Sequence, residues 1–222
     1  ITTLASASTA TISVSTMNLR QDAVKFNVAD GTAATDLLVS SVVGNGNGGL
    51  HDLVKTGAGR MVMTGANTYS GLTSVSNGTL VISSAHLGAG AFDVADGATL
   101  GVDNTSATSA QMSTLTLGAT GTATLQFANV SSTTVPLLTA ASGITINGAN
   151  TINIANTNGL VAGNTYPLAA YGAGLTGSLP ALTVPSGVTA TLTNDTGNSW
   201  IALTVTSVGP TYATNPTNLT SS

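Results

Sequence analysis

The sequence predicts an all-β fold, a parallel β-solenoid closed by a C-terminal capping region, on three observations. Helical periodicity is almost absent, while short apolar runs recur between Gly, Asn, Asp and Ser punctuation. Several runs follow a Gly by one to three residues: Asn77-Gly78-Thr79-Leu80-Val81, Asp96-Gly97-Ala98-Thr99-Leu100, Thr120-Gly121-Thr122-Ala123-Thr124-Leu125 and Asn147-Gly148-Ala149-Asn150-Thr151-Ile152. Their steps of about twenty to twenty-seven residues have the length of one solenoid coil. Of the 222 residues, 42% are hydrophobic but only 4% aromatic, so small and β-branched side chains are expected to fill a narrow, stacked interior. An antiparallel β-sandwich also fits short strands with frequent turns and stands as the alternative.

In chain order, strands are expected over residues 10–14, 24–28, 37–43, 60–63, 80–83, 114–117, 122–127, 144–146, 151–154, 188–192 and 200–205. Between them lie turns where Gly or Asn tolerates positive φ, and stacking would bury the inward residues of each strand. A second echo, Val28-Ala29-Asp30-Gly31 and Val94-Ala95-Asp96-Gly97, places Asp30 and Asp96 in equivalent turns. From Leu160 the texture changes, and prolines and most tyrosines gather in segments such as Tyr166-Pro167-Leu168 and Val184-Pro185-Ser186-Gly187. The expected organisation is coils over 1–160, a cap over 161–208 that blunts the solenoid end, and an extended tail or linker over 209–222.

Charge narrows the function classes. Charged residues are 5% of the chain against roughly a quarter in ordinary soluble domains. The four cations, Arg20, Lys25, Lys55 and Arg60, are scattered and the net charge is −4, which argues against nucleic-acid binding. The chain has no cysteine, hence no disulfide or thiolate chemistry. No apolar run reaches the roughly 20 residues of a membrane-spanning helix.

One stretch is specific. Lys55-Thr56-Gly57-Ala58-Gly59 precedes a strand, Gly65-Ala66-Asn67-Thr68-Tyr69-Ser70-Gly71 follows it, and a further strand leads to Gly78-Thr79-Leu80. Residues 53–80 thereby resemble the autotransporter-associated β-strand repeat. The resemblance implies right-handed parallel β-helix coils, export and a surface location, and implies no particular activity. The segment from Pro167 to Gly172, with Leu179-Pro180 and the run from Pro185 to Leu192, resembles the closing region that often follows such repeats.

No catalytic, cofactor-binding or metal-binding residue is assigned. The acids are eight Asp and no Glu; Asp93, Asp96 and Asp103 are the nearest approach to a carboxylate or calcium cluster, and Asp before Gly reads as a turn residue. His51 and His86 lack ligand-spaced partners, and His51-Asp52 reads as a surface loop. Gly44-Asn45-Gly46-Asn47-Gly48-Gly49 reads as a flexible turn, since no Lys-Ser/Thr follows it. Tyr69 is expected to stack on a neighbouring coil rather than face a sugar. Asn77, Asn104, Asn129, Asn194 and Asn218 fit the N-glycosylation pattern, as chance allows in a chain rich in Asn, Ser and Thr.

The expectation is an extracellular or cell-surface structural protein, not an enzyme, that associates with copies of itself in a bacterial surface layer or filament. Strand donation from residues 1–14 or from the tail would join the copies. An adhesin or passenger stalk is the alternative, a polysaccharide-acting β-helix enzyme the third, and surface polysaccharide a further partner class.

Overall fold

The computed structural model describes residues 1–20, 23–46 and 49–209. Among them every regular element is a strand. The first coil holds β1 (Thr2–Thr3), β2 (Ala10–Ile12) and β3 (Thr16–Leu19), and the second β4 (Ala23–Val28), β5 (Leu37–Val39) and β6 (Val42–Asn45). The third and fourth coils have two strands each, β7 (Asp52–Thr56) with β8 (Arg60–Met63), then β9 (Thr73–Val75) with β10 (Thr79–Ser83). The fifth holds β11 (Phe92–Val94), β12 (Thr99–Asp103) and β13 (Ala110–Met112), and the sixth β14 (Leu115–Leu117), β15 (Thr124–Ala128) and β16 (Leu138–Ala140). In the seventh are β17 (Ile144–Ile146), β18 (Thr151–Ile154) and β19 (Thr165–Tyr171). A partial eighth has β20 (Leu175–Thr176) and β21 (Ala181–Thr183), followed by β22 (Val188–Asp195) and β23 (Trp200–Val208).

Parallel pairing of successive coils builds two eight-stranded faces, β1-β4-β7-β9-β11-β14-β17-β20 and β2-β5-β8-β10-β12-β15-β18-β21. The third face comes in two pieces, β3-β6 and β13-β16-β19, and β23 and β22 extend the second piece antiparallel. This is a parallel β-solenoid; the sandwich alternative falls, because among the described residues antiparallel pairing is confined to β19, β23 and β22.

Strand alternation explains the core. On the second face Leu80, Leu100, Leu125 and Ile152 are in register, as are Ile82, Val102, Phe127 and Ile154, and all eight are buried. Rungs about 4.8 Å apart let each apolar side chain cover the next, at about 1.5–3 kcal/mol per large side chain buried. The outward row at the same strand starts is Thr79, Thr99, Thr124 and Thr151, so hydroxyls take the place of charge on the surface. The few aromatics go inside: Phe26, Phe92 and Phe127, the chain's three phenylalanines, are fully buried, with Tyr69 and Tyr166.

Three expectations change. Thr73 pairs with Phe92, 19 residues on, and Ile144 with Leu175, 31 residues on, so coil length varies more than the glycine echoes implied. The extra residues sit in corner loops, where added length costs little and leaves the ladders in register. The run at 37–43 is two strands, β5 and β6, split by a corner at Ser40-Ser41. Parallel pairing also continues past residue 160, through β19, β20 and β21. The change of texture at Leu160 falls within the seventh coil. There β19 has parallel β16 on one edge and antiparallel β23 on the other, so coil and cap share a strand. Beyond Gly209 the expected tail lies outside the described residues.

Candidate functional site

The chemistry-bearing side chains of the repeat point inward. Alternation along β7 puts Lys55 in the row between Phe26 and Val75, with its side chain fully buried. A buried ammonium is tolerated only when its donors are satisfied. Here Nζ donates to the carbonyls of Gly57 at 2.8 Å, Thr56 at 3.1 Å and Asn77, one coil on, at 3.1 Å. Two glycines make these carbonyls available. Gly57 has φ +77° and Gly78 φ +67°, and an added Cβ would lie 2.3 Å from Val28 O at the first and 2.5 Å from Gly57 O at the second. The Lys-x-Gly and Asn-Gly signatures are thus two halves of one latch. Burial lowers the Lys55 pKa to about 8, against the opposing pull of the Asp36 carboxylate. Asp36 is itself buried and accepts from the N–H groups of Arg60 at 2.7 Å and Gly31 at 2.8 Å.

The Gly-x-Asn-Thr-Tyr segment replaces a strand on the third face. Asn67 Oδ1 accepts from the Val43 N–H at 2.9 Å, and the Asn67 carbonyl accepts from the N–H groups of Leu87 at 2.8 Å and Gly88 at 3.0 Å. Buried Tyr69 shares a hydrogen bond with Thr73 Oγ1 at 2.9 Å, and its ring meets the His86 imidazole edge-on at 5.3 Å. Tyr69 therefore stacks on the neighbouring coil, and burial pushes its pKa up to about 12. His86 meets Phe92 on its other side at 5.5 Å and 89°. Nothing in the sequence marks this histidine as fully buried, with neither ring nitrogen holding a side-chain hydrogen-bond partner among the described residues.

The carboxylates do not converge. Asp93 projects from the first face between Ser74 and Thr116, while Asp96 is a turn clamp whose oxygens accept from the N–H groups of Ala119 at 2.9 Å and Thr120 at 3.3 Å. Those amides hold the Asp96 pKa below the usual carboxylate value. Asp30 and Asp96 are not equivalent: Asp96 lies two residues past Val94, and Asp30 four past Phe26, the residue of the same row. The extra residues of the second-coil corner account for the offset. Asp103 bonds Asn129 Nδ2. Asp52 Oδ1 accepts from the Leu72 N–H at 2.8 Å, so this carboxylate serves the neighbouring coil. Among the described residues no three His or Asp side chains gather closely enough to hold a metal ion.

Gly44 and Asn45 belong to β6 rather than to a free turn, and Asn47 and Gly48 lie outside the described residues. Of the asparagines in glycosylation pattern, Asn104 donates to Asn129 O and Ser131 Oγ, and Asn129 is further engaged by Asn156 and Asn158. These amides form a ladder. Asn218 lies outside the described residues. A surface cleft of about 360 Å³ opens beside the ladder over Thr105, Ser106, Thr108, Ser131 and Leu137, but Ser106 and Thr108 already hydrogen-bond each other and Ser84 of the coil before, and Ser131 accepts from Asn104.

Residues 53–82 match the family model of the Passenger-associated-transport-repeat. The match begins in β7 and ends in β10, so it takes in Lys55, Asn67, Tyr69 and Gly78 and stops short of His86. It agrees with the resemblance carried by Lys55-Thr56-Gly57 and Asn67-Thr68-Tyr69 and covers 30 of the 222 residues. The chain thus contains a repeat of autotransporter passenger-type domains. No curated protein and no solved structure matches it.

Proposed function

We propose that this chain is an extracellular structural protein without catalytic activity, a β-solenoid subunit that stacks on copies of itself in a bacterial surface layer or filament. The observation that carries the reading is the edge of the first coil. Among the described residues β1, β2 and β3 each have a strand partner on one side only, and Ile1, Leu4 and Val14 beside them are 51%, 84% and 56% exposed. Unpaired strand edges are templates for strand addition. At the opposite end β20 and β21 are likewise the outermost strands of their faces. Joining two unlike ends head to tail does not close on itself and propagates as a filament. The low charge removes mutual repulsion, and the passenger-type repeat supports export to the cell surface.

The repeat also favours a second reading, a stalk in a longer passenger whose neighbouring coils occupy the same edge. Sedimentation velocity over a hundredfold range of concentration at physiological salt separates the two. Self-association gives species that grow with concentration and revert to monomer in the double variant Leu4→Lys, Val14→Lys. A monomer at every concentration refutes self-association and leaves the stalk.

A further inference from the structure

We propose that the joint between the third and fourth coils is acid-sensitive: neutral His86 serves there as a packed apolar ring, and its protonation loosens the third face. The inference concerns a property of the coil itself and holds whichever way the ends are used.

His86 has no exposed surface and lies between the Tyr69 ring of the coil before and the Phe92 ring of the coil after, both edge-on. A neutral imidazole in this slot leaves one donor and one acceptor unmatched. An imidazolium would leave two N–H donors and a full charge unmatched, a far larger desolvation cost. The Gly88 backbone next to it favours the charged ring but does not offset the burial. The preceding coil contributes Asn67 and Tyr69 and its own coil Thr73, all uncharged, and the following coil contributes β13, Ala-Gln-Met, whose Gln111 N–H donates to the His86 carbonyl at 2.8 Å. The carboxylates nearest along the chain point elsewhere, Asp93 outward to solvent, Asp96 to the Ala119 and Thr120 amides and Asp103 to Asn129, and upstream Asp52 serves the Leu72 amide. Lys55 is committed to its three carbonyls. Tyr69, with its pKa pushed up to about 12, stays neutral throughout.

The ring also sits where the scaffold is thinnest. Among the described residues no strand spans the third face between β6 and β13, and the backbone there is joined by isolated bonds: Thr68 to Val43, Leu87 and Gly88 to Asn67, and Gln111 to His86. Side-chain packing therefore does what a ladder does elsewhere, and a charge placed in it acts on the weakest joint.

Burial lowers the His86 pKa to about 4 from 6.5. Between those values the unfolded or opened chain binds a proton that the packed coil refuses, so stability falls as pH falls through this window and levels off below it. Asp96 and Asp195 have lowered pKa values, so their contributions are lost only below the ordinary carboxylate value of 3.8. The two effects occupy separate ranges of pH.

The test is urea unfolding of the full chain from pH 7.5 to 4.5, in the wild type, His86→Phe and, as control, His51→Asn. The folded-to-unfolded ratio of the wild type and of His51→Asn is expected to drop roughly 40-fold between pH 6.5 and 4.5, and that of His86→Phe to lack this drop. A wild-type slope in His86→Phe overturns the proposal. Should His86→Phe fail to fold, the imidazole NMR signals of the native protein decide, since the chain has two histidines and His51→Asn assigns them. A His86 titration below about pH 5 supports the joint, and one near 6.5 refutes it.

Discussion

In the fourth coil, the turn at Asn77-Gly78 hangs on a cation: Lys55, one coil below, donates to the Asn77 carbonyl from inside the solenoid. In the seventh coil, the turn at Asn147-Gly148 hangs on a neutral amide. Buried Asn150 donates to the carbonyls of Asn147 at 2.6 Å and Leu117 at 3.1 Å, and accepts from the Ala123 N–H at 2.7 Å. Between them, at the corner of the fifth coil, an exposed carboxylate clamps the turn of the sixth from outside, Asp96 on Ala119 and Thr120. One geometric need recurs, because each corner leaves backbone groups without ladder partners. The chain meets it with three chemistries, and only the first belongs to the recognised repeat.

Breaking the comparison should give a graded series in urea unfolding at neutral pH. Lys55→Ala removes a fully buried side chain and strands three carbonyls, and is expected to cost about 3 kcal/mol. Asn150→Ala strands two carbonyls and one N–H with a smaller cavity, and about 2 kcal/mol is expected. Tyr69→Phe keeps the ring against His86 and loses only the bond to Thr73, a cost of about 1 kcal/mol. Asp96→Ala gives the smallest change, and one that disappears in acid. With its native pKa lowered, the Asp96 contribution is present above the ordinary carboxylate value and lost as pH falls below it.

The pH profile sharpens the contrast from the other side. Native Lys55 releases its proton near pH 8 while the unfolded chain holds it to about 10.5. The unfolded chain therefore binds more protons in that window, so wild-type stability should rise from pH 8 towards pH 10. Lys55→Met should lack that rise and Asn150→Ala should keep it. An Asn150→Ala profile as flat as that of Lys55→Met would assign the rise to another group.

The same contrast explains what could be read from the sequence. Strands at 60–63, 144–146 and 151–154 coincide with β8, β17 and β18, because each is a short apolar alternation between turn residues. The repeat was legible because its latch needs Lys, Gly, Asn and Tyr at fixed spacing. Asn150 serves the same kind of corner but sits among many other Asn residues, so nothing in the sequence distinguishes it. β7, β11 and β13 escaped notice because three to five residues interrupted by Lys, Asp or Gln carry too little periodicity. The burial of His86 was invisible for a related reason: its slot is formed by Tyr69 from one coil and Phe92 from the next strand, and only stacking brings them together. The Val-Ala-Asp-Gly echo misled because identical tetrapeptides entered corners of different length.

The central claim, a solenoid that stacks end to end, is tested most directly by negative-stain electron microscopy of the purified protein at physiological salt. Fibres or sheets with a constant axial repeat are predicted; dispersed single rods would contradict the account.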